Sequence, residues 1–124
     1  MIITDTGFWL ALADDRDKYH QAANKALQTY SEPLITTWPV MTEACYLLLV
    51  RKGVQAQVKF IENYRQDLFQ VFELPKDKSG RLAQLMQKYA DLPMDLADAS
   101  LVILAEHLGE GRIFSVDQRD FNTY

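Results

Sequence analysis

Four acidic residues stand where a carboxylate is either costly to bury or placed at the end of a strand: Asp5, Glu43, Asp98 and Asp117. Asp5 closes the run Ile3-Thr4-Asp5, and Asp117 closes Phe114-Ser115-Val116-Asp117; both are apolar stretches ending in a hydroxyl or near one and then an acid. If both stretches are central parallel strands, the two carboxylates emerge at the same edge of a sheet. Each also fits as a simple cap for the turn that follows, since Asp is among the favoured N-caps. Glu43 is the one acid of an apolar stretch from Trp38 to Arg51, between Leu47 and Val50 on a helical wheel. That helix is expected to be largely buried. A buried carboxylate needs a cationic partner, a metal or an edge position that reaches water. Asp98 is flanked at helical spacing by Leu101, Val102 and Ala105. With Asp95 it also suits a capping box, and both acids would then neutralise a helix N-terminus.

Two carboxylates about 4 Å apart repel by about 4 kcal/mol at an effective dielectric near 20. Three or four in one pocket therefore require protons or a cation. Oxygen ligands without His or Cys suit Mg²⁺ or Mn²⁺. The chemistry open to such a pocket is phosphodiester hydrolysis, with a metal-activated water and charge stabilisation at the attacked phosphate.

The elements that must position these acids follow from periodicity. Met1–Thr4, Leu34–Thr36, Phe69–Leu74 and Arg112–Val116 read as strands. Phe8–Ala13, Lys18 to about Tyr30 with Asp17 as cap, Trp38–Arg51 with Thr37 as cap, Val54–Gln66, Lys76–Tyr89 and Asp95–Leu108 read as helices. Pro39 falls in a first helical turn, where proline is tolerated, and Gly53 and Gly109 are stops. Strands alternating with helices predict an α/β domain, a mainly parallel sheet of four or five strands flanked by helices in an α/β/α sandwich. Ligands of such sheets bind outside the carboxyl ends of the strands.

Composition bounds the rest. At 124 residues and 48% hydrophobic content the chain reads as one domain, 1–124, with no linker, repeat or low-complexity tract. Its longest apolar stretches fall far short of the ~20 residues of a membrane span. No signal peptide is visible and Cys45 is the one cysteine, so a cytoplasmic location is expected, without an internal disulfide or a cysteine zinc site. The net charge of −4 argues weakly against nucleic acid, because phosphate binding is driven by Lys and Arg; a local basic patch matters more than the sum.

At the level of motifs the sequence resembles the PIN-domain family, and within it the VapC-type toxins of toxin–antitoxin pairs. Asp5-Thr6-Gly7-Phe8-Trp9-Leu10 is similar to the family's first motif, and Thr42-Glu43-Ala44 to the second. Leu96-Ala97-Asp98-Ala99-Ser100-Leu101 is similar to the third, and Ser115-Val116-Asp117-Gln118-Arg119-Asp120-Phe121 to the fourth. The resemblance covers essentially the whole chain, in family order. It implies a Mg²⁺-dependent (or Mn²⁺-dependent) endoribonuclease in which Asp5 and Asp98 are the main metal ligands and Glu43 and Asp117 complete the pocket. Thr6, Ser115 and Asp120 would support it, and a cognate antitoxin would hold the protein inactive. Ser115 stands where the family usually has Thr, and the chain ends soon after Asp120-Phe121, where many relatives carry one more short strand.

Other residues are weighed beside these. Arg119, next to Asp117, and Arg51, at a helix C-terminus, are candidates for RNA phosphate. His20 and His107 lack metal-ligand spacing and suit surface or boundary roles. Trp9, Trp38 and the tyrosines suit a core or a dimer surface better than base stacking. The apolar residues of the helices after Asp17 and Val54 could form an antitoxin groove or a homodimer face. The competing reading is a non-catalytic PIN-like binding module for protein or RNA. A haloacid-dehalogenase-like phosphatase would need an Asp where Gly7 stands. A response-regulator receiver would need an acidic pair at Asp5 and a late Lys. In the blandest alternative all four acids are caps and surface charge.

Overall fold

The first two strands are short and buried on both faces, which only a sheet covered by helices provides. The computed structural model describes residues 1–109 together with Ile113 and Phe114. Along the chain lie β1 (Ile2–Thr4), α1 (Thr6–Ala13), α2 (His20–Thr29), β2 (Leu34–Thr37), α3 (Trp38–Lys52) and α4 (Val54–Arg65). They are followed by β3 (Gln70–Phe72), a 3₁₀ turn at Lys76–Lys78, α5 (Ser79–Lys88), α6 (Leu96–Leu108) and β4 (Ile113–Phe114). The sheet runs β3-β2-β1-β4 with every pair parallel. Each crossover between parallel strands is made by two helices. The expected fold class is the one observed, with four strands among the described residues; the rest of the predicted Arg112–Val116 strand lies outside them.

Burial explains the strand sequences. All residues of β1 and β2 are buried, including Thr4, Thr36 and Thr37. The threonines are tolerated because their hydroxyls are used: Thr36 Oγ1 donates to the Thr4 carbonyl at 2.8 Å, and Thr4 Oγ1 to the Ile35 carbonyl at 3.3 Å. A buried hydroxyl without a partner would be destabilising. The main core joins the sheet to α1, α3, α4 and α6, with Ile2, Ile3, Phe8, Met41, Leu48 and Leu101 at its centre. A second, smaller cluster of Leu85, Met94, Ala99 and Ile103 binds α5 to α6. α6 therefore supplies Ala97, Leu101 and Leu104 to one core and Ala99 and Ile103 to the other. That double role is why it reads as apolar nearly all round.

Three expectations are corrected. Asp17 does not cap the second helix. Its Oδ1 accepts from the Tyr19 amide at 2.8 Å, forming a turn that delays α2 until His20, whose cap position Tyr19 makes no side-chain bond. The fifth helix begins at Ser79, because Lys76–Lys78 after Pro75 winds as a 3₁₀ turn. The third correction bears on Glu43: α3 is not largely buried. Val40, Met41, Ala44 and Leu48 face the core, whereas Trp38, Tyr46, Leu49 and Val50 are exposed, Tyr46 and Val50 at 63% each. Sequence cannot tell an apolar side chain that faces a core from one that faces outward.

Candidate active site

The order β3-β2-β1-β4 has one point of reversal. From β1 the chain steps outward to β2 and β3, then returns to place β4 on the other side of β1. Crossovers leave on opposite sides of such a point, and a crevice opens at the carboxyl ends of the strands beside it. Asp5 follows β1 directly, and Asp117 is the third residue after Phe114 of β4. Asp117 thus follows, in sequence, the strand beside β1; its own placement, with those of Ser115, Arg119 and Asp120, lies outside the described residues.

Asp5 is the N-cap of α1: its Oδ1 accepts from the Phe8 amide at 2.8 Å, and the residue is 8% exposed. The capping role therefore exists, and it also fixes the carboxylate at the strand end. Thr6, the first residue of α1, is buried beside it. Asp98 and Asp95 form the anticipated capping box: Asp95 Oδ1 accepts from the Asp98 amide at 2.8 Å, and Asp98 Oδ2 from the Asp95 amide at 3.4 Å. The 3.4 Å contact is the weaker half of the box, long for an N–H···O bond. Asp98 is half-buried, while Asp95 is exposed.

Glu43 is half-buried on the second turn of α3 and lines a groove of about 490 Å³ between the N-terminal turns of α3 and α6. Trp38, Thr42, Tyr46, Asp95 and Leu96 line the same groove. The edge position that reaches water, one of the alternatives for a carboxylate in an apolar helix, is the one observed. Asp95, assigned by sequence to capping alone, shares that groove, and no spacing signal could have placed it there because it depends on how α3 and α6 pack. Those two helices are in direct contact, and α6 also packs on β1 and β2. β1 ends next to Asp5 and β2 ends at Thr37, and the contact of Thr37 with Ser100 sets the first turns of α6 beside the end of β2.

The donor set is hard oxygen, as a divalent cation of the Mg²⁺ type requires. Among the described residues no three His, Cys, Asp or Glu side chains form a ready cage for a metal ion. Mg²⁺ does not demand one, because it is usually held by one or two carboxylates and keeps several waters. The residues described here fit that mode and not a dedicated all-protein cage.

The remaining candidates fall elsewhere. Arg51 lies eight residues beyond Glu43, about 12 Å along the helix axis, and its Nη1 contacts Asp17 Oδ2 at 3.2 Å. Lys52 reaches Asp14 and Asp15. These cations tie the end of α3 to the loop after α1. His20 Nδ1 lies 2.7 Å from the Ala11 carbonyl, to which the ring N–H donates, and His107 packs on Phe72. His20 is a boundary residue and His107 a surface one, within the expected roles. Burial pushes the Cys45 thiol up, away from reactivity. Trp9 is a core residue among Phe8, Phe60 and Phe69, whereas Trp38 is exposed and meets Tyr64 edge-on.

Comparison with known proteins agrees with this architecture. Residues 2–124 match the PIN domain, and the chain belongs to the PIN-domain family. Within that family its likeness is to VapC-type members. It is 26% identical over 121 residues to Ribonuclease VapC26 of Mycobacterium tuberculosis, covering 98% of this chain and 90% of that protein. Among solved structures it superposes on M. tuberculosis VapC20, described as a sarcin-ricin loop cleaving toxin, with a TM-score of 0.87 at 20% identity over 94% of this chain and 90% of that one. A further similarity, 29% over 105 residues to a bifunctional uridylyltransferase/uridylyl-removing enzyme of Haemophilus influenzae, spans only 12% of that protein.

Proposed function

We propose that this chain is a metal-dependent endoribonuclease and the toxin of a toxin–antitoxin pair, hydrolysing RNA phosphodiester bonds at Asp5, Glu43, Asp98 and Asp117. The observation that carries the reading is the topological reversal at β1. Such a reversal opens a crevice at the carboxyl ends of β1 and β4; Asp5 follows β1, Asp117 follows β4 in sequence, and Glu43 and Asp98 would be brought to that crevice by α3 and α6, which pack on each other. The likeness to a protein named as a ribonuclease supports the same reaction class.

Asp5 and Asp98 would hold Mg²⁺ or Mn²⁺, with Glu43 and Asp117 completing the acidic pocket. When bound, the cation supplies an activated water and stabilises charge on the attacked phosphate. Asp5 presents a carboxylate already oriented by the Phe8 amide, so little ordering remains to be done on binding. Thr6, Ser115 and Asp120 would support the pocket. Arg119 is the better phosphate partner, since Arg51 is engaged with Asp17 at the far end of α3. A cognate antitoxin belongs to this reading, as does a homodimer; the exposed apolar residues of α3 and α4 are surface that either protein contact would cover. Among the described residues no helix is long and apolar enough to cross a membrane, and a cytoplasmic site of action fits the substrate.

The test is incubation of the purified, antitoxin-free protein with total tRNA and rRNA, in Mg²⁺, in Mn²⁺ and in EDTA, beside Asp5→Asn. Metal-dependent cleavage that Asp5→Asn abolishes is the expected result. A folded protein that cleaves no RNA would instead favour a non-catalytic binding module.

A further inference from the structure

Two hydroxyls far apart in sequence meet inside the protein where α3 and α6 begin. Thr37 and Ser100 are both fully buried, and their side-chain oxygens lie 2.6 Å apart. Ser100 Oγ is also 2.7 Å from the Ala97 carbonyl, and Thr37 Oγ1 is 3.4 Å from the Val40 amide. These partners dictate the direction of every bond. A carbonyl only accepts, so the Ser100 proton goes to Ala97. Ser100 then has no proton left, so Thr37 donates to Ser100. The Val40 N–H in turn donates to Thr37 as the helix cap. The chain Val40 → Thr37 → Ser100 → Ala97 has one proton order.

Its two ends matter. Thr37 is the last residue of β2 and the N-cap of α3, six positions before Glu43. Ala97 immediately precedes Asp98 in the first turn of α6. Val and Ala would fill the same space without a hydroxyl and pack against one another with latitude, because dispersion is non-directional. A buried 2.6 Å hydroxyl pair fixes distance and orientation together. The motif resemblance assigned neither residue a role, and their spacing of 63 positions carries no periodic signal.

We propose that Thr37 and Ser100 are positioning residues that lock the register of α3 against α6 and so set the placement of Glu43 relative to Asp98 for a divalent cation. The inference rests on the nuclease reading above. Partners that orient metal ligands typically change metal affinity by about 10- to 100-fold when removed.

Mn²⁺ binding to the RNA-free protein, followed by the electron paramagnetic resonance signal of free Mn²⁺, tests it alongside thermal unfolding. Four variants are compared: Thr37→Ser, Ser100→Ala, the double variant Thr37→Val/Ser100→Ala, and Ile103→Val in the second core as a purely structural control. Ser100→Ala keeps the Thr37 cap but costs its hydroxyl an acceptor, whereas the double variant leaves neither hydroxyl orphaned but uncaps the Val40 amide, at a cost of about 1 kcal/mol; the two fail for different reasons, and the unfolding midpoint reports each. The expected result is Mn²⁺ affinity weakened about 10-fold or more in Ser100→Ala and in the double variant, within about 2-fold of wild type in Thr37→Ser, and unchanged in Ile103→Val despite its lower unfolding midpoint. Wild-type affinity in a folded double variant overturns the proposal and leaves the nuclease reading intact. A wild-type chain that binds no Mn²⁺ overturns both.

Discussion

At the scale of single residues, Asp5 and Asp98 take part in helix caps and are proposed as metal ligands, and substitution of an acid separates the two roles. Asn caps a helix about as well as Asp. Asp5→Asn should therefore keep the bond from the Phe8 amide and leave the unfolding midpoint within a few degrees, while RNA cleavage falls at least about 100-fold as the charge is lost. A large drop in stability would mean that Asp5 is chiefly a cap. Asp95 offers the converse case. Asp95→Ala removes the short bond of the capping box and should cost about 1 kcal/mol in urea unfolding, yet change cleavage only a few-fold. If its cleavage collapses while the fold holds, the groove that Asp95 shares with Glu43 belongs to the reaction.

At the scale of elements, the junctions carry the specificity. Gly53 ends α3 and starts α4 with φ 96° and ψ −177°, a conformation that essentially only glycine adopts. A Cβ placed there meets nothing within 4 Å, so Gly53→Ala suffers backbone strain and no clash. The expected loss is about 1–3 kcal/mol by urea titration. α5 and α6 are clasped by Arg81, whose Nη2 lies 2.8 Å from Glu106 Oε2. That hydrogen bond holds the Glu106 carboxyl below its usual range, opposed by a smaller effect of burial. A carboxyl whose folded-state pKa is depressed contributes stability that is present above its unfolded value, near 4.3, and lost as pH falls through the lower folded value. The stability gap between wild type and Glu106→Gln should thus be present at pH 7 and close below about pH 4. A gap that widens in acid would contradict the pairing. The groups are largely solvent-exposed, so the gap is small.

At the scale of the whole molecule, several of the exposed apolar side chains are grouped on α3 and α4. Trp38, Tyr46, Leu49 and Ile61 border a second groove, of about 370 Å³, between α3 and α4. Contiguous apolar surface of this kind usually marks a protein contact. Tyr46→Lys with Leu49→Lys should change stability by less than about 1 kcal/mol, since both point away from the core. It should also reduce self-association in light scattering. Unaltered scattering would show that this surface is not what drives association of the isolated chain.

Much of this was written in local pattern. The alternation of strand and helix, the cap at Thr37, the capping box of Asp95 and Asp98 and the stop at Gly109 depend on neighbours a few residues apart, and such short-range chemistry is readable from sequence. The strand-end position of Asp5 was legible for the same reason. The tertiary structure decided the rest. It decided that the sheet reverses beside β1, at whose carboxyl end Asp5 stands, because strand order follows from how crossovers pack and leaves no periodic trace. It decided that α3 buries one face and exposes the other, because hydropathy does not record which neighbour a side chain will find. And it joined Thr37 to Ser100, since a bond across 63 residues exists only once α3 and α6 have docked.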